Sequence, residues 1–117
     1  MAFGFSMATQ FVAFIGGGQM AQALADGAIA GGVLTAKKLI FVEPNPHQQQ
    51  HLLERFSGCR VTGRLSEGTA GASQLVLSVK PNILKELAAE LAGLLQPQHL
   101  VVSIAAGISL RKLQKLL

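Results

Sequence analysis

Cysteine is nearly absent. Cys59 is the single one among 117 residues, so no disulfide can close within the chain and no cysteine-based zinc set exists. Tryptophan and tyrosine are missing, and aromatic residues make up only 5% of the chain. Without aromatic side chains interleaved among cations, the net charge of +4 does not describe a nucleic-acid surface. The phosphate of a small cofactor is the more economical target for that charge. No Lys or Arg precedes Lys37, so the apolar N-terminus lacks the charged region of a signal peptide. The same stretch is interrupted by Ser6, Thr9, Gln10, Gln19, Gln22 and Asp26, which leaves no run able to cross a bilayer. The expectation is a soluble protein of a reducing, cytoplasmic compartment with neither a membrane nor a nucleic-acid partner.

What is present points to one well-buried α/β domain: half of the residues are hydrophobic and 14% are charged. Residues 1–10 lack a strand pattern and contain a second Met-Ala pair, Met7-Ala8, so they read as an extension or expression remnant ahead of a domain spanning 11–117. Phe11 to Ile15 is a continuous apolar run suited to the centre of a parallel sheet. It enters Gly16-Gly17-Gly18, and Gln19-Met20-Ala21 open a helix expected to run to Ala30 and stop at Gly31-Gly32. Leu39 to Val42 forms a second strand, and Asn45-Pro46 caps and starts a helix to Phe56. A short strand at Cys59 to Thr62 precedes a weak helix near Glu67 to Ala72, with Ser66 as its cap. Leu75 to Val79 is a fourth strand. Pro81 starts a long helix ended by Pro97, Leu100 to Ile104 is a fifth strand, and Ser109 caps a last helix. Alternation at this spacing predicts a Rossmann-type doubly wound parallel sheet in the order 3-2-1-4-5.

The glycine segment has the form G-x-G-x-x-A between a strand and a helix, a dinucleotide-binding fingerprint. Gly16 permits the tight turn, Gly18 lets the backbone approach a pyrophosphate, Ala21 allows close helix–sheet packing, and the helix-start amides hold phosphate. Glu43, at the end of the second strand, is placed to accept hydrogen bonds from an adenosine ribose. No Arg or Lys occurs between Lys38 and Arg55 to offset it, which tilts the reading toward NADH over NADPH, although Asn45 offers a donor to a phosphate. Ser78-Val79-Lys80-Pro81 makes a fixed turn lining the nicotinamide half. Lys80 is open to two readings, contact with a phosphate or substrate carboxylate, or solvation beside a helix start. Ser103-Ile104-Ala105-Ala106-Gly107 provides small residues suited to a flat ring, and equally to a close-packed turn. His47 and His51 share a helix face with no third ligand nearby, so a polar helix face and no metal is the reading. Cys59 reads as a small core residue, and Arg111, Lys112 and Lys115 as a solvated helix face.

Four segments taken together, Phe14-Ile15-Gly16-Gly17-Gly18-Gln19-Met20-Ala21, Glu43-Pro44-Asn45-Pro46, Ser78-Val79-Lys80-Pro81 and Val101-Val102-Ser103-Ile104-Ala105-Ala106-Gly107, resemble pyrroline-5-carboxylate reductase. The resemblance spans nearly all of residues 11–117. It implies reduction of 1-pyrroline-5-carboxylate to L-proline, in proline biosynthesis, with NADPH or NADH. It also implies a pyrophosphate contact by Ile15, Gly16, Gly17, Gly18, Gln19 and Met20, an adenosine ribose facing Glu43, and a nicotinamide half flanked by Ser78 to Pro81 and Ile104 to Ala106. Some members of that family carry a small hydroxyl residue where Glu43 stands, and this departure again favours NADH. The family's second, helical domain, which makes a homo-oligomer and most of the imine pocket, has no counterpart here. This chain is therefore expected to be the cofactor half, inactive alone and prone to self-association through Leu110, Leu113, Leu116 and Leu117. Another reductase sharing this half, or a non-catalytic nucleotide-binding module, are the competing readings.

Overall fold

The computed structural model describes residues 10–104. Five parallel strands, β1 (Val12–Ile15), β2 (Leu39–Val42), β3 (Arg60–Thr62), β4 (Gln74–Leu77) and β5 (Leu100–Ser103), form one sheet in the order β3-β2-β1-β4-β5. Helices α1 (Gln19–Ala30), α2 (Pro46–Arg55), α3 (Leu65–Ala70) and α4 (Pro81–Leu94) make the crossovers, and a 3₁₀ turn at Ala36–Lys38 leads into β2. The order is the expected one. Helices α1 and α2 step the chain from β1 to β2 to β3 on one side, α3 carries it back across to β4 beside β1, and α4 leads to β5, so the switch point lies between β1 and β4.

Side chains alternate along β1 and divide the core into two layers. Val12 and Phe14 pack with Phe41, with Ala21 and Ala25 of α1, and with Leu52 of α2. Ala13 and Ile15 pack on the other face with Ile40, Leu75 and Leu77, with Leu65 of α3, and with Leu84 and Leu91 of α4. Phe41 stacks on Phe14 and packs tilted against Phe56, at centroid distances of 5.5 and 5.4 Å, which anchors the first layer. Ala21 is fully buried, as close approach of α1 to the sheet requires.

The boundaries of α1 and β2 agree with the sequence reading. Others differ for local reasons. The weak helix begins at Leu65, not Glu67, with Arg64 in the cap position and Ser66 inside its first turn. No side chain caps its first amides in place of the expected Ser66; Thr62 Oγ1 accepts from the Arg64 amide at 3.1 Å and donates to the Glu67 carboxylate, bracing the turn ahead of the helix. β4 ends at Leu77; the Ser78 amide makes the last bond across to the Ile15 carbonyl at 3.0 Å, and the Ser78 hydroxyl reaches the glycine loop. Residues 1–9, and the segments where a turn at Ala105-Ala106-Gly107 and a last leucine-bearing helix are expected, lie outside the described residues. Among the described residues no helix is long and apolar enough to cross a membrane.

Candidate functional site

The C-terminal ends of the parallel strands open onto a cleft of about 860 Å³. At its centre β1 runs into the glycine turn. Gly16 has φ +103°, and a Cβ there would come within 2.7 Å of Val79 Cγ1 and 3.0 Å of the Ser78 carbonyl oxygen. Both the backbone conformation and the space therefore demand glycine. Gly18 is different: its φ is −79°, it is exposed, and a Cβ built on it meets nothing within 4 Å. Its absent side chain leaves room on the cleft side of the loop.

The turn is pinned from three directions. The Gly17 amide donates to Glu43 Oε1 at 3.0 Å, tying the loop to the end of β2. The Gly17 carbonyl accepts from Gln22 Nε2 at 3.0 Å and from Gln48 Nε2 at 2.6 Å, one from α1 and one from α2. Ser78 Oγ lies 3.0 Å from the Ile15 carbonyl and 2.9 Å from that of Gly16, tying in the end of β4. Gln22 is itself oriented by Arg55, whose guanidinium donates to Gln22 Oε1 and pairs with the Asp26 carboxylate. His51 Nε2 lies 3.2 Å from the same Gln22 oxygen.

Helix α1 starts directly behind this turn with no side-chain cap and no acidic residue in its first turn. Its leading amides have no preceding carbonyl to bond, and they project where the positive end of the helix dipole favours an anion. A phosphate-holding geometry follows from these two facts and the open space at Gly18.

The structure sorts the expected site residues into groups. Ile15, Gly16, Gly17, Gly18, Glu43, Ser78, Val79 and Lys80 all line the cleft. Gln19 and Met20 head α1 and are exposed outside the lining, while Pro81 starts α4. Asn45 is outside the lining as well. Its Oδ1 accepts from the amides of His47 and Gln48 and caps α2. Ile104 continues β5 through its amide bond to the Leu77 carbonyl, and Ala105 and Ala106 lie outside the described residues. Glu43 stands at the expected strand end, but its carboxylate turns to the backbone. Oε1 takes the Gly17 amide and Oε2 takes the Asn45 amide, each at 3.0 Å.

Several lining residues escaped the sequence reading. Gly63, Arg64, Leu65 and Ser66 form the wall beside β3, and Asn82, Ile83, Leu87 and Glu90 of α4 form the opposite one. Two of the three glutamines in α2, read as a polar face, instead reach inward, while Gln50 stays exposed: Gln48 holds Gly17, and Gln49 Nε2 donates to the Glu43 carbonyl at 2.6 Å. Lys80 is exposed at the rim in the cap position of α4. Cys59 is buried with its thiol toward the Leu52 carbonyl at 3.7 Å, and burial pushes its pKa up, which suits a core residue and not a nucleophile. His99 accepts the Gln96 amide at Nδ1 and donates from Nε2 to the Thr69 carbonyl, at 2.9 and 3.0 Å, away from the cleft.

Known proteins resemble this chain in sequence and fold. Pyrroline-5-carboxylate reductase 3 of Rattus norvegicus is 35% identical over 106 residues, 91% of this chain and 38% of its own length. Pyrroline-5-carboxylate reductase 2 of Homo sapiens is 37% identical over 104 residues, 89% of this chain and 32% of that protein. The structure of a pyrroline-5-carboxylate reductase from Coxiella burnetii superposes with a TM-score of 0.83 at 30% identity, covering 93% of this chain and 40% of that one. The NADP-bound pyrroline carboxylate reductase of Plasmodium falciparum shares the fold at a TM-score of 0.78 and 22% identity, over 95% of this chain and 39% of that one. The chain thus spans about two fifths or less of the length of these proteins. Residues 11–107 match the family described as NADP oxidoreductase coenzyme F420-dependent, and the chain belongs to that family.

Proposed function

We propose that this chain is the nicotinamide-dinucleotide-binding half of a pyrroline-5-carboxylate reductase, a cytoplasmic enzyme that reduces a cyclic imine to L-proline. The observation that carries the reading is the pinned glycine turn behind an uncapped helix start, with open space at Gly18 and a large cleft at the strand ends. The donor set fits a pyrophosphate: α1 offers backbone amides and no competing acidic residue in its first turn. The bound dinucleotide supplies the hydride that adds to the imine carbon. The chain's own part is to hold the cofactor. Gly16, Gly17 and Gly18 with the start of α1 face the phosphates, the ends of β2 and β3 face the adenosine half, and Ser78 to Lys80 face the nicotinamide half.

The topology gives the span. From β3 across β2 and β1 to β4 there are three strand spacings, about 14 Å, enough for the two nucleoside halves to lie on either side of α1. The relatives' names support the imine substrate, and the resemblance assigns most of its pocket and the homo-oligomer interface to a helical domain outside these residues. Calorimetric titration with NADH and NADPH tests the proposal. Binding of at least one, without turnover of the imine by this chain alone, is the expected result. Failure of both to bind refutes it. Joining this chain to such a helical domain and assaying imine reduction separates this reading from another reductase or a non-catalytic module.

A further inference from the structure

Resting on that dinucleotide-binding reading, we infer that Arg64 is the residue that selects the 2′-phosphorylated cofactor, so that the chain prefers NADPH to NADH. The linear sequence argues otherwise, because Glu43 ends β2 and no cation lies near it in the chain. The sheet changes the neighbourhood. β3 pairs beside β2 in the register Val42↔Thr62, and the Glu43 amide donates to the Thr62 carbonyl at 2.9 Å. Arg64 lies two residues beyond Thr62, so the sheet carries it to the cleft wall next to Glu43, and both residues line the same cleft.

Three further observations fit a phosphomonoester at this wall. Among the described residues the Arg64 guanidinium has no hydrogen-bond or ion-pair partner, whereas Arg55 pairs with Asp26 and Arg60 lies over the Phe11 ring. Glu43 does not pair with Arg64 either, since its oxygens are taken by the Gly17 and Asn45 amides, which also disperse its charge toward the loop. Ser66, two residues further along the same wall, adds a hydroxyl that is exposed in the lining. A planar guanidinium beside a hydroxyl suits bidentate capture of a phosphate. A ribose that carries only a 2′-hydroxyl offers this wall no charge to bind.

The test is parallel calorimetric titration of the full chain with NADPH and NADH, and with adenosine 2′-monophosphate and adenosine 5′-monophosphate as half-molecule probes. For the native chain, NADPH binds at least tenfold more tightly than NADH, and the 2′-monophosphate outcompetes the 5′ isomer. Arg64→Met lowers NADPH affinity roughly tenfold to a hundredfold, the loss expected for hydrogen bonds to a charged group, and brings the NADPH-to-NADH ratio toward one. Arg64→Lys, which keeps the charge but not the fork, restores part of the ratio. The preference grows as pH rises through about 6, where the phosphomonoester gains its second charge, and shrinks with salt. Equal binding of both dinucleotides by the native chain, or an unchanged ratio in Arg64→Met, overturns the inference while leaving dinucleotide binding intact. Binding of neither dinucleotide overturns both.

Discussion

Gly16 and Gly18 are two residues apart in one turn, yet valine or alanine placed at each has opposite consequences. At Gly18 the backbone is extended, at φ −79° and ψ −168°, which valine adopts without strain. Its Cβ enters open space. As a helix N-cap, valine is poorer than glycine by about 0.5–1 kcal/mol. Restricting the unfolded chain returns about 0.4–1 kcal/mol, so the net change in stability is near zero. The isopropyl group, however, fills the side of the loop where the α1 amides would meet a pyrophosphate. At Gly16 even alanine combines φ +103° with contacts at 2.7 Å to Val79 Cγ1 and 3.0 Å to the Ser78 carbonyl oxygen. The Val79 methyl can move, the backbone oxygen cannot without breaking the Ser78 bonds, and a loss of about 2–4 kcal/mol is expected. Urea melts and calorimetric titration of Gly18→Val and Gly16→Ala check the pair. Gly18→Val should melt within about 1 kcal/mol of the native chain and bind neither dinucleotide. A Gly18→Val chain that binds NADPH or NADH like the native protein refutes the assignment of that open space to phosphate.

Two other outcomes follow from contacts already described. Glu43→Ala removes a half-buried acceptor from Gly17 and an exposed one from Asn45, costing about 2 kcal/mol in a urea melt. Because the carboxylate holds the loop, both NADH and NADPH affinities should fall; a loss confined to NADH would restore the ribose role to Glu43. The raised pKa of Cys59 makes the thiol form the stable one in the folded chain. Its contribution is therefore complete at neutral pH and is lost as pH climbs above the ordinary thiol value of about 8.5 through the higher folded value. Native Cys59 should resist a thiol reagent at pH 7.5 until the chain unfolds, and Cys59→Ala should lack that alkaline component in denaturant melts.

Strand order, the ends of α1 and β2, and the glycine turn were legible because each rests on local patterning: apolar runs four or five residues long, glycines at a strand-to-helix junction, and Asn45-Pro46 at a helix start. What stayed hidden depends on partners distant in sequence. Gln22 and Gln48 are ordinary helical glutamines until the fold brings both amides to the Gly17 carbonyl. Arg64 lies 21 residues after Glu43 and becomes its neighbour on the cleft wall only through the β2–β3 pairing. The start of α3 was misplaced because its cap position falls to Arg64, which offers no side-chain cap, while the serine read as the cap sits inside the first turn. Glu43 itself was found by its position and not by its partners, since nothing in a sequence tells a carboxylate aimed at a ligand from one aimed at its own backbone.

The hold on Gly17, one side chain at its amide and two at its carbonyl, has a kinetic meaning. A loop in which the peptide planes on both sides of Gly17 are fixed before any nucleotide arrives does not have to be ordered by it. Association then proceeds as a single encounter step whose observed rate rises linearly with nucleotide concentration and shows no conformational plateau. Differences in affinity among cofactor analogues would be written in their residence times.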